Sequence, residues 1–198
     1  LSTVLEATDQ PEPEGIEGHS LLPLARGETV AWRDHIYAEW VSGGPTIYFP
    51  QRSVRDSQFK FISTLLQDRP SPCAIGYSGP GQKWDPGATV EEIAASPSSI
   101  RRAYEIFANP PPEELYDLQH DPWEFNNLID DPEFSTTRDR LRAQLQSWQI
   151  ATEDPLADPG ILARLTNEHD EIVAAYYPDA WGISRGYTWE YGEYMRRG

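Results

Sequence analysis

The stretch Pro110–Leu128, which reads PPPEELYDLQHDPWEFNNL, decides the fold of this 198-residue chain because it joins a strand to a long helix. Three consecutive prolines keep the chain extended as it enters Glu113–Leu118, where a short strand of about five residues is predicted. Asp121-Pro122 then begins a turn. A second turn ends at Pro132 and opens the helix, with Asp131 as its candidate cap.

Three further strands are predicted upstream, where alternating residues are separated by turn-forming residues. They are residues 35–41, residues 51–55 with Ile47–Phe49 leading in, and residues 59–65. Apolar side chains at helical spacing predict an amphipathic helix over Glu133–Ala151, long enough to cross the sheet. The predicted fold class is therefore α+β, with a small four-stranded antiparallel sheet packed by a long C-terminal helix.

An insert at residues 66–112 separates the third strand from the fourth. Its first part, Asp68–Ala88, is rich in Pro, Gly and Ser and is predicted to be a loop. Thr89–Ala95 and Ser98–Phe107 are predicted short helices, the first with Thr and Glu at capping-box spacing. An insert of this length either has a function, such as covering another part of the protein, or is a surface excursion packed on the sheet.

The composition limits the kinds of partner and site. The chain has 16 basic and 32 acidic residues and a net charge of −16, which disfavours nucleic acid and anionic membranes as partners. The single cysteine, Cys73, excludes an internal disulfide and a cysteine-based zinc site. No apolar run approaches the roughly 20 residues of a membrane span, and the first ten residues lack the pattern of a signal peptide.

Recognisable catalytic and metal motifs are missing from the sequence. It contains no GxSxG, GxGxxG or GxxxxGK[ST] string, and its four histidines lack the spacing of a zinc site. A glycosidase-type pair among the 32 acidic residues stays open. No residue of this chain is therefore predicted to be catalytic or to bind a metal, and the chain alone is expected to be inactive.

Four segments resemble type I sulfatases and occur in the order of that family. EELYDL followed by DPWEFNNL resembles a signature near the C-terminal end of these enzymes. The other three are GIEGHSLLPLARGE at 15–28, YFPQRSVRDSQFKFI at 48–62 and LRAQLQSWQIATED at 141–154. The YFPQR segment and the helical insert are most similar to the branch that contains heparan N-sulfatase, also called sulfamidase.

The resemblance implies the C-terminal part of an alkaline-phosphatase-like sulfatase fold. Residues 1–19 would be the end of a catalytic-domain helix and a connector, 20–155 the C-terminal subdomain, and 156–198 an aromatic-rich extension. The family uses calcium and a formylglycine made from Cys or Ser in a C/S-x-P-x-R motif, which this sequence does not contain. Calcium and formylglycine are thus expected in a missing N-terminal catalytic domain, with no cofactor in this chain.

The implied substrate is a carbohydrate that carries sulfate esters or sulfamates. Residues 26–60 contain five basic and four acidic residues, so this window repels sulfate least. By resemblance the segment Tyr37–Arg52 borders the active-site pocket, and Glu39, Tyr48 and Arg52 are the predicted substrate contacts. For Arg52 the alternative is a carboxylate partner that holds the sheet to the catalytic domain. The Glu39-Trp40 pair departs from the pattern of the sulfamidase branch, which leaves sulfamate specificity open.

The segment after a weaker predicted helix at Ile161–Ala175 suggests a second function. Tyr176–Tyr194 contains seven Tyr and Trp residues, whose rings need a partner surface. They pack on this protein or on the missing domain, or they form a sugar or subunit contact. The alternative hypothesis is therefore a non-catalytic carbohydrate-binding or subunit-contact module, which allows a homo-oligomer. The family resemblance suggests a periplasmic, extracellular or lysosomal location, and the sequence does not choose between them.

Overall fold

The computed structural model describes residues 1–16, 18–41, 47–78 and 87–176. Internal contacts divide the chain into two compact units, Leu1–Asp34 and the residues from His35 onward. The first unit contains the short helices α1 (Ser2–Ala7) and α2 (Leu22–Ala25). All the elements described below belong to the second unit.

The second unit is built on a four-stranded antiparallel sheet, as the sequence predicts. Its strands are β1 (Ile36–Trp40), β2 (Gln51–Arg55), β3 (Phe59–Thr64) and β4 (Glu113–Asp117), and they pair in chain order. The residues after β4 cover its outer edge. The Leu128 amide donates to the Leu115 carbonyl at 2.8 Å, and the Asn127 side-chain oxygen accepts from the Leu115 amide at 2.9 Å. The Leu115 amide and carbonyl at this edge therefore have hydrogen-bond partners without another strand.

One face of the sheet is covered by the long helix α6 (Ser135–Ala151), which confirms the predicted packing. A 3₁₀ turn at Pro132–Phe134 precedes the helix, and Asp131 caps this turn by accepting from the Glu133 amide at 2.9 Å. Because alternate strand residues point to the same face, one apolar residue from each of three strands meets the helix. This core consists of Val54, Phe61, Leu115, Leu141 and Leu145, all buried.

The insert contains three helices, α3 (Pro72–Ser78), α4 (Val90–Ala95) and α5 (Ser98–Ala108). The last two confirm the prediction, and both halves of the α4 capping box are formed. The Thr89 hydroxyl accepts from the Glu92 amide at 3.2 Å, and the Glu92 carboxylate accepts from the Thr89 amide at 2.8 Å.

The prediction that Asp68–Ala88 is a loop was wrong at α3. Pro72 occupies the first turn of this helix, where its missing amide hydrogen costs nothing. The helix packs against α5, and the Ser71 amide donates to the Ala108 carbonyl at 2.8 Å. Tertiary packing therefore outweighs a composition typical of a loop.

A second core forms where the last helix, α7 (Pro159–Tyr176), packs beside the sheet. This helix follows a 3₁₀ turn at Pro155–Ala157 and confirms the helix predicted at Ile161–Ala175. The buried members of the core are Val41, Tyr48, Phe49, Leu66, Leu156 and Leu165. Apart from Tyr176, the predicted aromatic tail lies outside the described residues. Within the described part of the chain, no helix combines the length and apolar content needed to cross a membrane.

Candidate functional site

Arg52, one of the three predicted substrate contacts, is completely buried on the α6 face of the sheet. Its Nε and Nη2 atoms donate to the two carboxylate oxygens of Asp154, both at 2.8 Å. The Arg52 Nη1 atom donates to the Gln51 carbonyl at 3.0 Å. The pair with Asp154 is therefore bidentate, and all three guanidinium nitrogens donate hydrogen bonds within the chain.

Asp154 is held ionised by its hydrogen-bond donors. Burial by itself raises the pKa of this carboxyl, but hydrogen bonds from Arg52 and Gln149 outweigh that effect and lower the pKa below its ordinary value. The carboxylate also caps the 3₁₀ turn before α7 by accepting from the Leu156 amide at 3.1 Å. Arg52 therefore pairs with a carboxylate of this chain, and this pair joins the sheet to the segment before α7.

Tyr48 is also buried, in the core beside α7. Its ring stacks on His169 with the centroids 4.8 Å apart, and its hydroxyl lies 3.4 Å from the Thr166 hydroxyl. Burial raises the pKa of the Tyr48 phenol, so it stays neutral over the ordinary pH range. In this structure the side chain anchors α7.

Glu39 is the predicted contact that reaches solvent, with 44% of its side chain exposed. It lies opposite Arg52 in the β1–β2 register, and its Oε2 atom is 3.6 Å from the Arg52 Nη2 atom. The structure therefore brings Glu39 and Arg52 together, while Tyr48 contacts α7 instead. Of the three side chains, only the Glu39 carboxylate is placed to meet a ligand directly.

A groove with a volume of ≈ 460 Å³ crosses the face of the sheet that α6 does not cover. The strands contribute Trp40, Ile62, Glu114 and Tyr116 to its lining. Helix α5 borders it on one side, and the turn carrying Trp123 and Glu124 borders it as well. The sequence analysis selected none of these side chains. Alternation within β4 places Glu114 and Tyr116 on one face, but it does not tell which face α6 covers.

Acidic side chains that could approach a cation near β4 and α6 are engaged by other groups of this chain. Among them, no group of three or more His, Cys, Asp or Glu side chains lies close enough together to hold a metal ion. Asp131, which precedes a proline at a helix start, is used as a cap. The carboxylate of Glu124 is used by the Lys60 ammonium, at 2.8 and 2.9 Å.

In sequence, this chain is similar to parts of three known proteins, two of which are named as sulfatases. No protein-family model matches the chain. An ulvan-active sulfatase from Formosa agariphila is 28% identical over 163 residues, which cover 80% of this chain and 29% of that protein. A second ulvan-active sulfatase from the same organism is 32% identical over 107 residues, 52% of this chain and 17% of that protein. The multifunctional alkaline phosphatase superfamily protein PehA from Trinickia caryophylli is 30% identical over 156 residues, 78% of this chain and 24% of that protein.

Solved structures agree on the fold. A sulfatase from Bacteroides thetaiotaomicron VPI-5482 superposes with a TM-score of 0.52 at 23% identity, covering 80% of this chain and 26% of that one. A 2-O GAG sulfatase superposes with a TM-score of 0.52 at 22% identity, covering 80% and 27%. The structural neighbours are sulfatases.

These neighbours have the alkaline-phosphatase-like fold, and the chain corresponds to a small part of it. The predicted fold class, α+β with a four-stranded antiparallel sheet that forms part of an alkaline-phosphatase-like fold, is thereby confirmed. The chain spans less than a third of the length of each relative it matches. The sulfamidase branch is not confirmed, because none of these relatives is named as a sulfamidase.

Proposed function

We propose that this chain is the C-terminal part of a sulfatase that hydrolyses sulfate esters or sulfamates of a sulfated carbohydrate. The observation that carries this proposal is the alignment of 80% of the chain with only 29% of an ulvan-active sulfatase. A match that is nearly complete on one side and partial on the other is expected of one portion of a larger enzyme.

The nucleophile and the metal ligands would belong to the remaining portion of that enzyme. The sequence of this chain lacks a C/S-x-P-x-R motif, so it offers no position for formylglycine. Calcium would likewise be bound by residues outside this chain. The chain would then contribute part of the substrate pocket. It would require the catalytic domain as its partner.

Within the pocket, we assign the direct contact to Glu39 and supporting roles to Arg52 and Tyr48. The Glu39 carboxylate accepts hydrogen bonds from sugar hydroxyl groups at the edge of β1. Arg52 is a positioning residue, because its bond to Asp154 fixes the strand opposite Glu39. Tyr48 holds α7 against the segment that follows β1. This arrangement is compatible with all three predicted residues affecting substrate binding, although only one would touch the substrate.

The choice between ester and sulfamate is the finer part of the proposal. The YFPQR segment resembles the sulfamidase branch, whereas two relatives are named as ulvan-active sulfatases. Ulvan is therefore the first substrate to test, and an N-sulfated glucosamine oligosaccharide is the second.

The decisive experiment begins with the coding sequence upstream of Leu1. We expect it to encode a C/S-x-P-x-R motif, and the complete protein to release sulfate from one of the two substrates. The 198-residue chain alone should release none. An upstream sequence without the motif, or a complete protein that releases no sulfate from either substrate, would overturn the proposal.

Glu39→Gln in the complete protein tests the substrate contact. Losing one charge-assisted hydrogen bond is expected to raise KM by about tenfold while kcat changes little. The matched control is Glu133→Gln, an exposed carboxylate at the start of the 3₁₀ turn before α6. A KM that is the same in both variants would show that Glu39 does not contact the substrate.

A further inference from the structure

We infer that the groove on the sheet face opposite α6 is a binding site for an uncharged, unsulfated pyranose ring of a carbohydrate. The inference goes beyond the proposed hydrolysis and does not depend on it. It rests on three properties of the groove: exposed aromatic rings at its border, a buried carboxylate among its lining residues, and the lack of a free cation among the lining residues that the structure describes.

The aromatic rings lie where a sugar ring could stack. Trp123 is 75% exposed, although it is one of the largest apolar side chains in the protein. Trp40 from β1 and Phe107 from α5 are exposed on the same groove. An aromatic face left open to water next to a concave surface is typical of a ligand site. The apolar C–H face of a pyranose matches such rings in shape and polarity.

Glu114 supplies the polar group. It is only 6% exposed, yet it belongs to the lining of the groove. Its Oε2 atom accepts from the Tyr116 hydroxyl at 2.5 Å. A carboxylate has about four lone-pair sites, so this single bond leaves acceptor capacity for ligand hydroxyl groups. Burial raises the pKa of Glu114, which reflects a carboxylate taken out of water without full compensation.

The charge balance of the groove selects against sulfate. The Lys60 ammonium lies on the same sheet face, but both oxygens of Glu124 already bind it. Among the described residues that line the groove there is no Lys or Arg, whereas Glu114 and Glu124 are both present. A sulfate would therefore be repelled, and neutral hydroxyl donors would be accepted.

The turn that carries Trp123 is fixed in advance. The Glu124 amide donates to the Asp121 carbonyl at 3.1 Å, and the Asn126 amide donates to the Asp121 side chain at 2.7 Å. Glu124 has a φ of +58°, a left-handed conformation that costs free energy for a residue with a side chain. Its ion pair with Lys60 helps to hold this conformation. Trp123 is thus presented by a hydrogen-bonded turn, and this ordering of the backbone reduces the entropy lost when a ligand binds.

The test is calorimetric titration of the 198-residue chain with neutral tetrasaccharides of β-1,4-linked glucose, xylose and mannose. At least one is expected to bind with a Kd of about 1 mM or tighter. The chemically sulfated form of the same tetrasaccharide should bind at least about tenfold more weakly. Glucosamine, whose ammonium group suits a carboxylate, distinguishes a cation site from a sugar site.

Two variants locate the binding. Trp123→Ala should weaken the binding by about tenfold, because one stacking surface is lost. Glu114→Gln, which keeps the shape of the side chain, should weaken it several-fold through loss of a charged acceptor. Trp32→Ala is the matched control, since this exposed tryptophan belongs to the other unit and should leave Kd unchanged. Circular dichroism verifies that each variant is folded.

Several results would overturn the inference. These are the failure of all three neutral tetrasaccharides to bind, tighter binding of the sulfated form, and binding of free glucosamine with equal or higher affinity than the tetrasaccharides. Loss of binding in Trp181→Ala but not in Trp123→Ala would move the sugar contact to the aromatic tail. Sulfate release by the complete protein is measured separately, so failure of that activity leaves this result intact.

Discussion

The two faces of the sheet each contain a buried charged side chain. The two side chains differ in whether a partner of opposite charge binds them. On the α6 face, Arg52 is fully buried, and its Nε and Nη2 atoms both donate to Asp154 at 2.8 Å. On the open face, Glu114 is 6% exposed and receives one hydrogen bond from a neutral hydroxyl. A buried charge with a complete partner belongs to the folded core, whereas one with spare acceptor capacity at a groove indicates a ligand site.

Removing Arg52 should have the largest effect on stability. Arg52→Ala leaves the Asp154 carboxylate buried without its cation, and a loss of about 3–5 kcal/mol in the free energy of unfolding is expected. Urea unfolding followed by circular dichroism measures it. The double variant Arg52→Leu/Asp154→Leu removes both charges and should recover most of the loss. If Arg52→Ala lowers the free energy of unfolding by less than about 1 kcal/mol, the pair with Asp154 does not stabilise this face as a buried ion pair would.

The apolar part of the same face should respond nearly as strongly. Leu141→Ala empties a fully buried position of α6 against the sheet and is expected to cost about 2–5 kcal/mol. Ile150→Ala lies on the same helix but is 79% exposed, so it should change stability by no more than about 0.5 kcal/mol. Equal effects of the two substitutions would mean that α6 does not pack as described.

The pH dependence of stability should differ in sign between the two buried carboxyls. The Glu114 pKa is raised above its ordinary value of 4.5, so the folded state binds the extra proton between these two pKa values. Its contribution to stability is fully present below pH 4.5 and is lost as the pH rises through the folded pKa. The Asp154 pKa is lowered, and its contribution is lost as the pH falls through the folded value.

Glu114→Gln isolates the first of these effects. Relative to the unaltered chain, the variant should become more stable as the pH is raised from 4 to 7, because the desolvated charge is absent. Unfolding in urea at both pH values measures the difference. A difference that does not change with pH would indicate that Glu114 is not desolvated in the groove.

The sequence predicts this sheet well because its signals are local. Alternation predicts the first three strands, three consecutive prolines predict the extended entry into β4, and a Thr and a Glu three residues apart predict the start of α4. Helix α3 was missed because Pro, Gly and Ser dominate its surroundings, and its contact with α5 decides the conformation. The bond between Arg52 and Asp154 joins residues 102 positions apart, which no local pattern encodes. The same limit applies to the groove, where side chains from all four strands, from α5 and from the turn after β4 converge.

The smallest effect is expected at Trp123, and comparison with Trp148 makes this informative. Trp148 is half-buried on the α6 face and stacks on Tyr37 with the ring centroids 5.1 Å apart, so Trp148→Ala should cost about 1–3 kcal/mol. Trp123→Ala removes a ring that is 75% exposed and should change stability by no more than about 0.5 kcal/mol. Urea unfolding of the two variants side by side measures both. A loss at Trp123 as large as that at Trp148 would mean that its ring packs in a core, and the open face would then lack its most exposed stacking surface.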